Sequence, residues 1–367
     1  MTMVSTGLIS IGGTGTSGGL NQSINVELGL AQNATSGLGD ANFRTLAGVA
    51  TGAISMSNFY GKSNIIPKGY VAGGASNTIN VDLNTIYSLL FSTETSGVVS
   101  ATLNQVLNWQ CSIISSSKGY ICGGRVSGIP YPGYFRINSM LLTTEAITLV
   151  TASMTGNNAN AGNMSNQVTY GYCMTGYDHY PSNYSLDGYN RLTYSTEAIS
   201  SVATILWATW GSECASSTTD GYTPGYGGTI YVWGRFTYST ETAVNAATAF
   251  ASNASERAAG NSTTVAYWSG GNGGGGGTTP QSFTHAITFA TNAIKTVSAT
   301  LPAARAFACA PNSSTKMYVA GGVNSTLSNV TTIYPLTFST ETYATLSAVI
   351  NPSHSAAMTS YQSGGTL

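Results

Sequence analysis

Five glutamates of this 367-residue chain stand at repeated places: Glu94, Glu145, Glu197, Glu241 and Glu341, in the strings FSTET, LTTEA, YSTEA, YSTET and FSTET. A sixth copy, FATNA, carries Asn292 at the same place. Carboxylates repeated around an array could converge on an axis and hold a cation, because hard cations are bound by sets of oxygen ligands. The flanking Ser and Thr offer another use, since their hydroxyls bond nearby backbone N–H groups and hold tight corners. Asn in one of the six places suits a corner and spoils a shared metal ring. These residues are expected to shape turns.

Other groups capable of chemistry are few. His179, His285 and His354 fall in different copies of the repeat, and no strained GxSxG elbow accompanies them, so no Ser–His–Asp arrangement can be assembled. His179 and His354 fall in connections of one face with tyrosines nearby, the ligand types of a copper oxidase. With 22 tyrosines in the chain, that proximity carries little. Glycoside hydrolysis needs two placed carboxylates, and Asp82, Asp178, Asp187, Asp220, Glu213 and Glu256 show no spacing that would place them.

Gly13, Gly15 and Gly18 fit GxGxxG after LISI, with Asp40 further on, but the following residues are broken by Gly and Asn and no βαβ unit stands behind them. A flexible segment is the expectation there. The five cysteines include no CxxC, and no paired His spacing argues for zinc. Cys111, Cys214 and Cys309 precede Tyr120, Tyr222 and Tyr318 by eight or nine residues, and Cys122 and Cys173 lie inside the strands of those or similar tyrosines. They read as small buried hydrophobes. The chain is expected to have no catalytic residue, no metal ligand set and no cofactor, and not to be an enzyme.

The residues best suited to recognition are aromatic. Tyr177, Asp178, Tyr180, Tyr184 and Asp187 crowd one connection, Arg125, Tyr131 and Tyr134 another, and Trp109 and Trp210 fall in crossings expected on the same face. Tyr and Trp offer large contact area with few torsions to freeze, and a polar tip for hydrogen bonds. Sugar rings present an apolar C–H face with peripheral hydroxyls, which Asp and Arg can read. These ten residues are the candidate ligand-binding set.

The elements that must position them follow from a repeat. The first residues of the six strings, Phe91, Leu142, Tyr194, Tyr238, Phe289 and Phe338, are separated by 51, 52, 44, 51 and 49 residues. A period near 50 marks an array of supersecondary units. A second anchor precedes each string: GYVAGG, GYICGG, YGYCMTG, DGYTPGYGG, AYWSGG and MYVAGG. Alternating stretches such as TIYSLLF lie between the anchors, the pattern of half-buried strands. Counting QCSIISSS and SGVVSATL gives four short strands per period. The connections after the Gly-Gly anchors are the long, irregular ones, which puts variable loops on one face of a rigid scaffold. HSAAMTSYQSGG, residues 354–365, holds a strand with nothing left to pair except residues 69–73, which completes the first unit and covers two open edges.

The aromatic-x-Gly-Gly strands, the Tyr or Phe strands ending in Thr-containing turns, and LPAAR (301–305) resemble kelch-type β-propellers, although the regular Trp of that family is missing. The fold expected is all-β, a six-bladed kelch-like propeller over 69–367, with 63–68 as linker and a small module at 1–62.

Within that module INVELGL (24–30), the Asp40 turn leading to RTLAG (44–48), and GAISMSNFYGKS (52–63) resemble an N-terminal module of structural proteins of tailed bacteriophages. INVELGL and DANFRTLAG read as short helices with Asp40 as N-cap, and AISMSNFYG as a strand. The module has too few apolar residues for a full core of its own, so it is expected to bury surface against a partner.

The resemblance implies a virion tail fibre or baseplate appendage, a host-attachment protein that docks on other virion proteins through 1–62. Homo-oligomers in the particle and a host polysaccharide or receptor on the loop face complete that expectation; a glycan-modifying propeller enzyme and a purely architectural virion subunit are the alternatives. Charged residues are only 7% and the net charge is -1, which argues against nucleic acid as partner. No apolar run approaches a membrane span and the N-terminus lacks a basic start, so neither membrane insertion nor a signal peptide is expected.

Overall fold

The computed structural model describes residues 24–28, 30, 36–59, 67–76, 81–108, 110–124, 136–154, 163–165, 169–174, 189–202, 213–224, 232–250, 255–273, 279–326, 328–350 and 357–361. The fold is all-β and propeller-like, and among the described residues short helical turns occur at 24–59. Antiparallel sheets succeed one another along the chain, each built from one period except the first, which takes one outer strand from residues 357–361.

The first sheet has the order Ala357–Tyr361, Lys68–Ala72, Ile86–Leu90, Thr95–Val98. Its C-terminal strand pairs in register Lys68↔Tyr361 to Ala72↔Ala357. The second sheet is Cys111–Ile114, Lys118–Cys122, Ile137–Leu141, Ile147–Leu149, and the third is Asn163–Ser165, Tyr170–Met174, Tyr189–Thr193, Ala198–Val202. The fourth is Ala215–Ser216, Asp220–Pro224, Val232–Thr237, Thr242–Ala249, and the fifth is Ala258–Asn261, Val265–Ser269, Thr284–Thr288, Ala293–Thr296. The sixth holds Lys316–Ala320, Ile333–Thr337 and Thr342–Tyr343; the bridges Cys309↔Ala320 and Asn312↔Met317 occupy the place of a first strand.

The second strand of each sheet reads buried along most of its length, as in Lys118–Cys122, because both of its faces meet a neighbouring sheet. Apolar clusters accordingly fill the spaces between consecutive sheets. Tyr70 and Ile86 of the first sheet pack with Ile121 and Met140 of the second. Tyr172 and Tyr189 of the third pack with Phe236 and Tyr238 of the fourth. Val71 and Leu89 of the first also pack with Tyr318 and Ile333 of the sixth. Glycine before the tyrosine keeps these spaces narrow: a Cβ at Gly69 would stand 2.3 Å from Pro311 Cβ, and one at Gly171 2.4 Å from Ile113 Cδ1.

Residues 24–59 carry a separate small core of Ile24, Phe43, Leu46, Ala47 and Phe59. The helices Ile24–Glu27 and Ala41–Ala47 stand where the sequence places them. Asp40 occupies the N-cap but makes no capping bond from its side chain; Oδ2 instead accepts from Gly37 N–H at 2.9 Å, tightening the turn before the helix. AISMSNFYG is not a strand. Met56–Phe59 form a 3₁₀ turn, closed by Asn58 Oδ1 accepting from Ser55 N–H at 2.7 Å, and the turn delivers Phe59 edge-on to Phe43. The local Ser–Asn pairing prevails, and among the described residues no strand lies beside this segment to pair with it.

Candidate functional site

The recurring glutamates lie at the corners between the third and fourth strands, and each has positive φ: Glu94 at 54°, Glu145 at 58°, Glu197 at 53°, Glu241 at 51° and Glu341 at 51°. Asn292 matches them at 53°. The amide of the corner residue donates four residues back, as in Glu145 N to Leu141 O at 2.7 Å and Asn292 N to Thr288 O at 2.8 Å. Asn tolerates this left-handed region better than most side chains, which accounts for its appearance at one of the six corners.

These corners also do something the sequence reading did not foresee. Each reaches back to the sheet before it. Glu145 Oε1 accepts from Tyr70 Oη at 3.0 Å and from Lys68 Nζ at 2.6 Å. Glu197 does the same with Tyr120 and Lys118, Glu241 with Tyr172 and Arg191, and Glu341 with Tyr267 and Lys295. Asn292 Oδ1 accepts from Tyr222 Oη at 3.0 Å. Glu94 of the first sheet accepts from Tyr318 and Lys316 of the sixth. The aromatic residue that opens the string stacks on the same tyrosine: Tyr194 on Tyr120 at 5.7 Å, Tyr238 on Tyr172 at 5.6 Å, Phe338 on Tyr267 at 5.4 Å, Phe91 on Tyr318 at 5.3 Å.

Magnitudes rank these contacts. A hydrogen bond to a charged acceptor contributes about 1.5–3 kcal/mol, and an aromatic pair about 0.5–1.5 kcal/mol beyond its buried area. The ion pairs are a fifth to two-fifths exposed and screened, and contribute about 0.2–1 kcal/mol. The tyrosine bond therefore dominates each corner. Burial, with the adjacent glutamate adding to it, pushes the phenols of Tyr70, Tyr120, Tyr172, Tyr267 and Tyr318 well up from their usual range. Tyr222, beside Asp220 and Arg235, is pushed up to about 12, mainly by burial.

At the opposite end of the strands lies the loop side. The pairing Lys68↔Leu90 and Ala72↔Ile86 puts the corner beside Lys68 and the Gly-Gly anchor at the far end. Gly74 N donates to Leu107 O and Gly271 N to Arg305 O, so the connections leaving the anchors run beside the crossings to the next sheet. A Cβ on Gly322 would meet Ala306 O at 2.5 Å, and its φ is 83°, so the anchor needs glycine there.

A group of buried titratable side chains occupies this side of the fourth to sixth sheets. Glu213 is half-buried by surface area while its carboxyl is enclosed by protein; Oε2 accepts from Ala259 N at 2.8 Å and Ala310 N at 3.2 Å. Burial pushes it up to about 8 despite those two amides. Burial likewise brings Glu256 up to about 7 and Arg257 down to about 9. His285 Nδ1 lies 2.8 Å from Arg257 Nη1 and its ring stacks on Phe250. A guanidinium can only donate, so Nδ1 accepts and the imidazole is neutral; burial and Arg257 bring it down to about 3. Arg305 bonds the carbonyls of Gly321 and Thr332 and lies 4.1 Å over the Tyr334 ring. Perturbed groups of this kind gather at functional sites and in structural networks alike. Here they fasten the crossings, since Glu213 alone joins segments of three successive sheets.

All ten candidate binding residues, Trp109, Arg125, Tyr131, Tyr134, Tyr177, Asp178, Tyr180, Tyr184, Asp187 and Trp210, lie outside the described residues, as do His179, His354 and Gly13, Gly15 and Gly18. Of the carboxylates without a spacing pattern, Asp82 accepts from Asn108 beside the first loop, and Asp220 sits at the position that holds lysine in three other sheets. Cys111 and Cys309 occupy equivalent places, opposite Cys122 and Ala320; Cys214 is one residue out of step, because Ala215 pairs with Tyr222 and leaves Glu213 in that slot.

No protein-family model and no curated protein matches the chain. Among solved structures, 360 chains match, so the architecture is widespread and does not by itself specify a function. One of them, the structure of YjhT, is similar with a TM-score of 0.60 at 12% sequence identity, covering 77% of this chain and 98% of that chain. At that identity the likeness is one of fold: this chain is an all-β, propeller-like protein.

Proposed function

We propose that the six sheets are blades of one closed propeller, and that this propeller is the displayed, receptor-binding part of a tailed-phage virion appendage. Residues 1–62 would dock on other virion proteins, and 63–68 would link the two parts. Support for the ring comes from the corner contacts, which pass from each sheet to the one before it and from the first to the sixth. The strand Ala357–Tyr361 beside Lys68–Ala72 supports closure in the same way.

The observation that carries the virion reading is the small core of residues 24–59, made by the same segments that resemble the phage module. Five buried residues, Ile24, Phe43, Leu46, Ala47 and Phe59, make a core too small to hold much stability, which suits a peg seated in a larger particle. The receptor-binding reading rests on the aromatic loops at the Gly-Gly ends, and a host polysaccharide is the ligand their chemistry suits. A single site of this kind binds weakly, and several rigidly displayed copies supply avidity.

The test pairs two proteins. A chain lacking residues 1–62 is expected to fold, to bind host surface polysaccharide, and to stay out of particles; incorporation at the full-length level would overturn the docking role. The full-length Tyr180→Ala/Tyr184→Ala double variant is expected to assemble normally and adsorb poorly. Wild-type adsorption by it would remove that loop from the site, and reducing-end release from the polysaccharide would replace adhesion with hydrolysis.

A further inference from the structure

The cysteines were expected to be small buried hydrophobes, and three of the buried ones meet. Cys111, Cys122 and Cys173 are buried at 3%, 0% and 2% exposure, and their sulfur atoms all lie within 4.8 Å of one another. The meeting follows from strand geometry. Cys111 and Cys122 are directly opposite across the first two strands of the second sheet. Cys122 follows Tyr120 by two residues and so shares its face, which is turned to the third sheet, where Tyr120 stacks on Tyr194. Cys173 follows Tyr172 by one residue and so faces the other way, back toward the second sheet, while Tyr172 stacks on Tyr238 of the fourth. Ile113, Ile137, Val150 and Leu192 share their cluster.

We propose that Cys111, Cys122 and Cys173 form a three-sulfur site for a thiophilic metal ion, Cu(I), between the second and third sheets. An ion at the centre of three sulfurs this close stands within about 2.8 Å of each, and small χ1 rotations bring that to the roughly 2.3 Å of metal–thiolate bonds. Thiolate donors select soft ions, and no carboxylate or imidazole belongs to the group of three. A structural zinc site takes four ligands, whereas a soft monovalent ion is satisfied by three sulfurs. Each sulfur that ligates gives up its proton, so binding weakens as pH falls. No electron is transferred.

The experiment uses the full-length, reduced protein without oxygen, with Cu(I) supplied as its acetonitrile complex against a coloured Cu(I) chelator. One ion per chain should leave the chelator, copper X-ray absorption should count three sulfur neighbours, and the melting midpoint should rise. Cys122→Ala should weaken binding by roughly a hundredfold, whereas Cys309→Ala, whose thiol lies against Ala320 O in the sixth sheet and outside the group of three, should leave it unchanged. Should Cys122→Ala fail to fold, the sulfur count on the wild-type protein still decides. Two or fewer sulfur neighbours, copper held equally by a triple alanine variant, preference for Zn(II) over Cu(I), or a Cys111–Cys122 disulfide in protein isolated without reductant would each overturn the proposal.

Discussion

The joint between the first and second sheets and the joint between the fourth and fifth solve the same problem with different charges. In the former, Glu145 meets Tyr70 and Lys68; in the latter, Asn292 meets Tyr222, and Asp220 stands where Lys68 would be. Asp220 turns instead to Thr237 at 2.6 Å and to Arg235 at 3.8 Å. A glutamate at 292 would have set a second carboxylate near Asp220. The third and fifth sheets vary the theme again: Tyr170 and Val265 replace the lysine, and the cation comes from the third strand as Arg191 in one and from the fourth strand as Lys295 in the other. What never varies is an oxygen acceptor at positive φ under a buried tyrosine. The ion pair is the adjustable part.

The sharpest way to break the comparison is Glu145→Val. It removes the acceptor of both bonds and puts a β-branched residue at a φ of 58°, and should cost about 3–4 kcal/mol in denaturant unfolding. Asn292→Val, losing only the Tyr222 bond, should cost about 2–3 kcal/mol. A smaller difference is expected from the tyrosines themselves. Tyr70→Phe loses a bond to a charged acceptor and should cost about 2 kcal/mol, whereas Tyr222→Phe, with a neutral acceptor, should cost about 1 kcal/mol.

The pH profile sharpens the same point. The corner phenols are raised in the folded chain, so their contribution is fully present below the unfolded tyrosine value and is lost as pH rises toward the folded ones. Melting midpoints should fall steeply above about pH 10, and Tyr70→Phe should flatten that fall by one proton's share. Glu213 runs in the same direction at lower pH: with its carboxyl raised to about 8, stability should decline between the ordinary carboxylate range and that value. Glu213→Gln, which keeps an acceptor for Ala259 and Ala310, should therefore be more stable than wild type at pH 8 and no different at pH 4. The smallest effect belongs to the charge swap. Asn292→Glu alone should cost about 0.5–1 kcal/mol, recovered when Asp220→Lys is added.

Much of this architecture is legible in the residues because the corner demands particular ones. Positive φ suits Asn, the bonds from tyrosine and a cation select Glu, stacking selects Tyr and Phe, and close sheet packing selects the glycine before the tyrosine, so the period near 50 stands out. The pairing of Glu145 with Tyr70 is not legible, since the two lie 75 positions apart in different copies. The joint change to Asp220 and Asn292 was the available hint. The meeting of Cys111, Cys122 and Cys173 depends on which face each strand position takes, and Cys214 shows that spacing alone misplaces a residue by one. In residues 24–59, AISMSNFYG was expected as a strand and a Ser–Asn turn prevails, because the Ser55–Asn58 bond is local and a strand needs a neighbour to pair with. The recognition residues were chosen for chemistry in irregular connections, where neither strand period nor corner fixes a position.

The joint between the first and sixth sheets carries the account's central claim, that every corner clasps the sheet before it all the way round. Glu94 there accepts from Tyr318 at 3.1 Å and Lys316 at 2.7 Å, across more than 220 residues of chain. Denaturant unfolding of Glu94→Val beside Glu145→Val tests it most directly. Equal losses of about 3–4 kcal/mol, each in one cooperative transition, are the expected result. A Glu94→Val chain with the wild-type midpoint would contradict it, because an open array has no use for a bond between its ends.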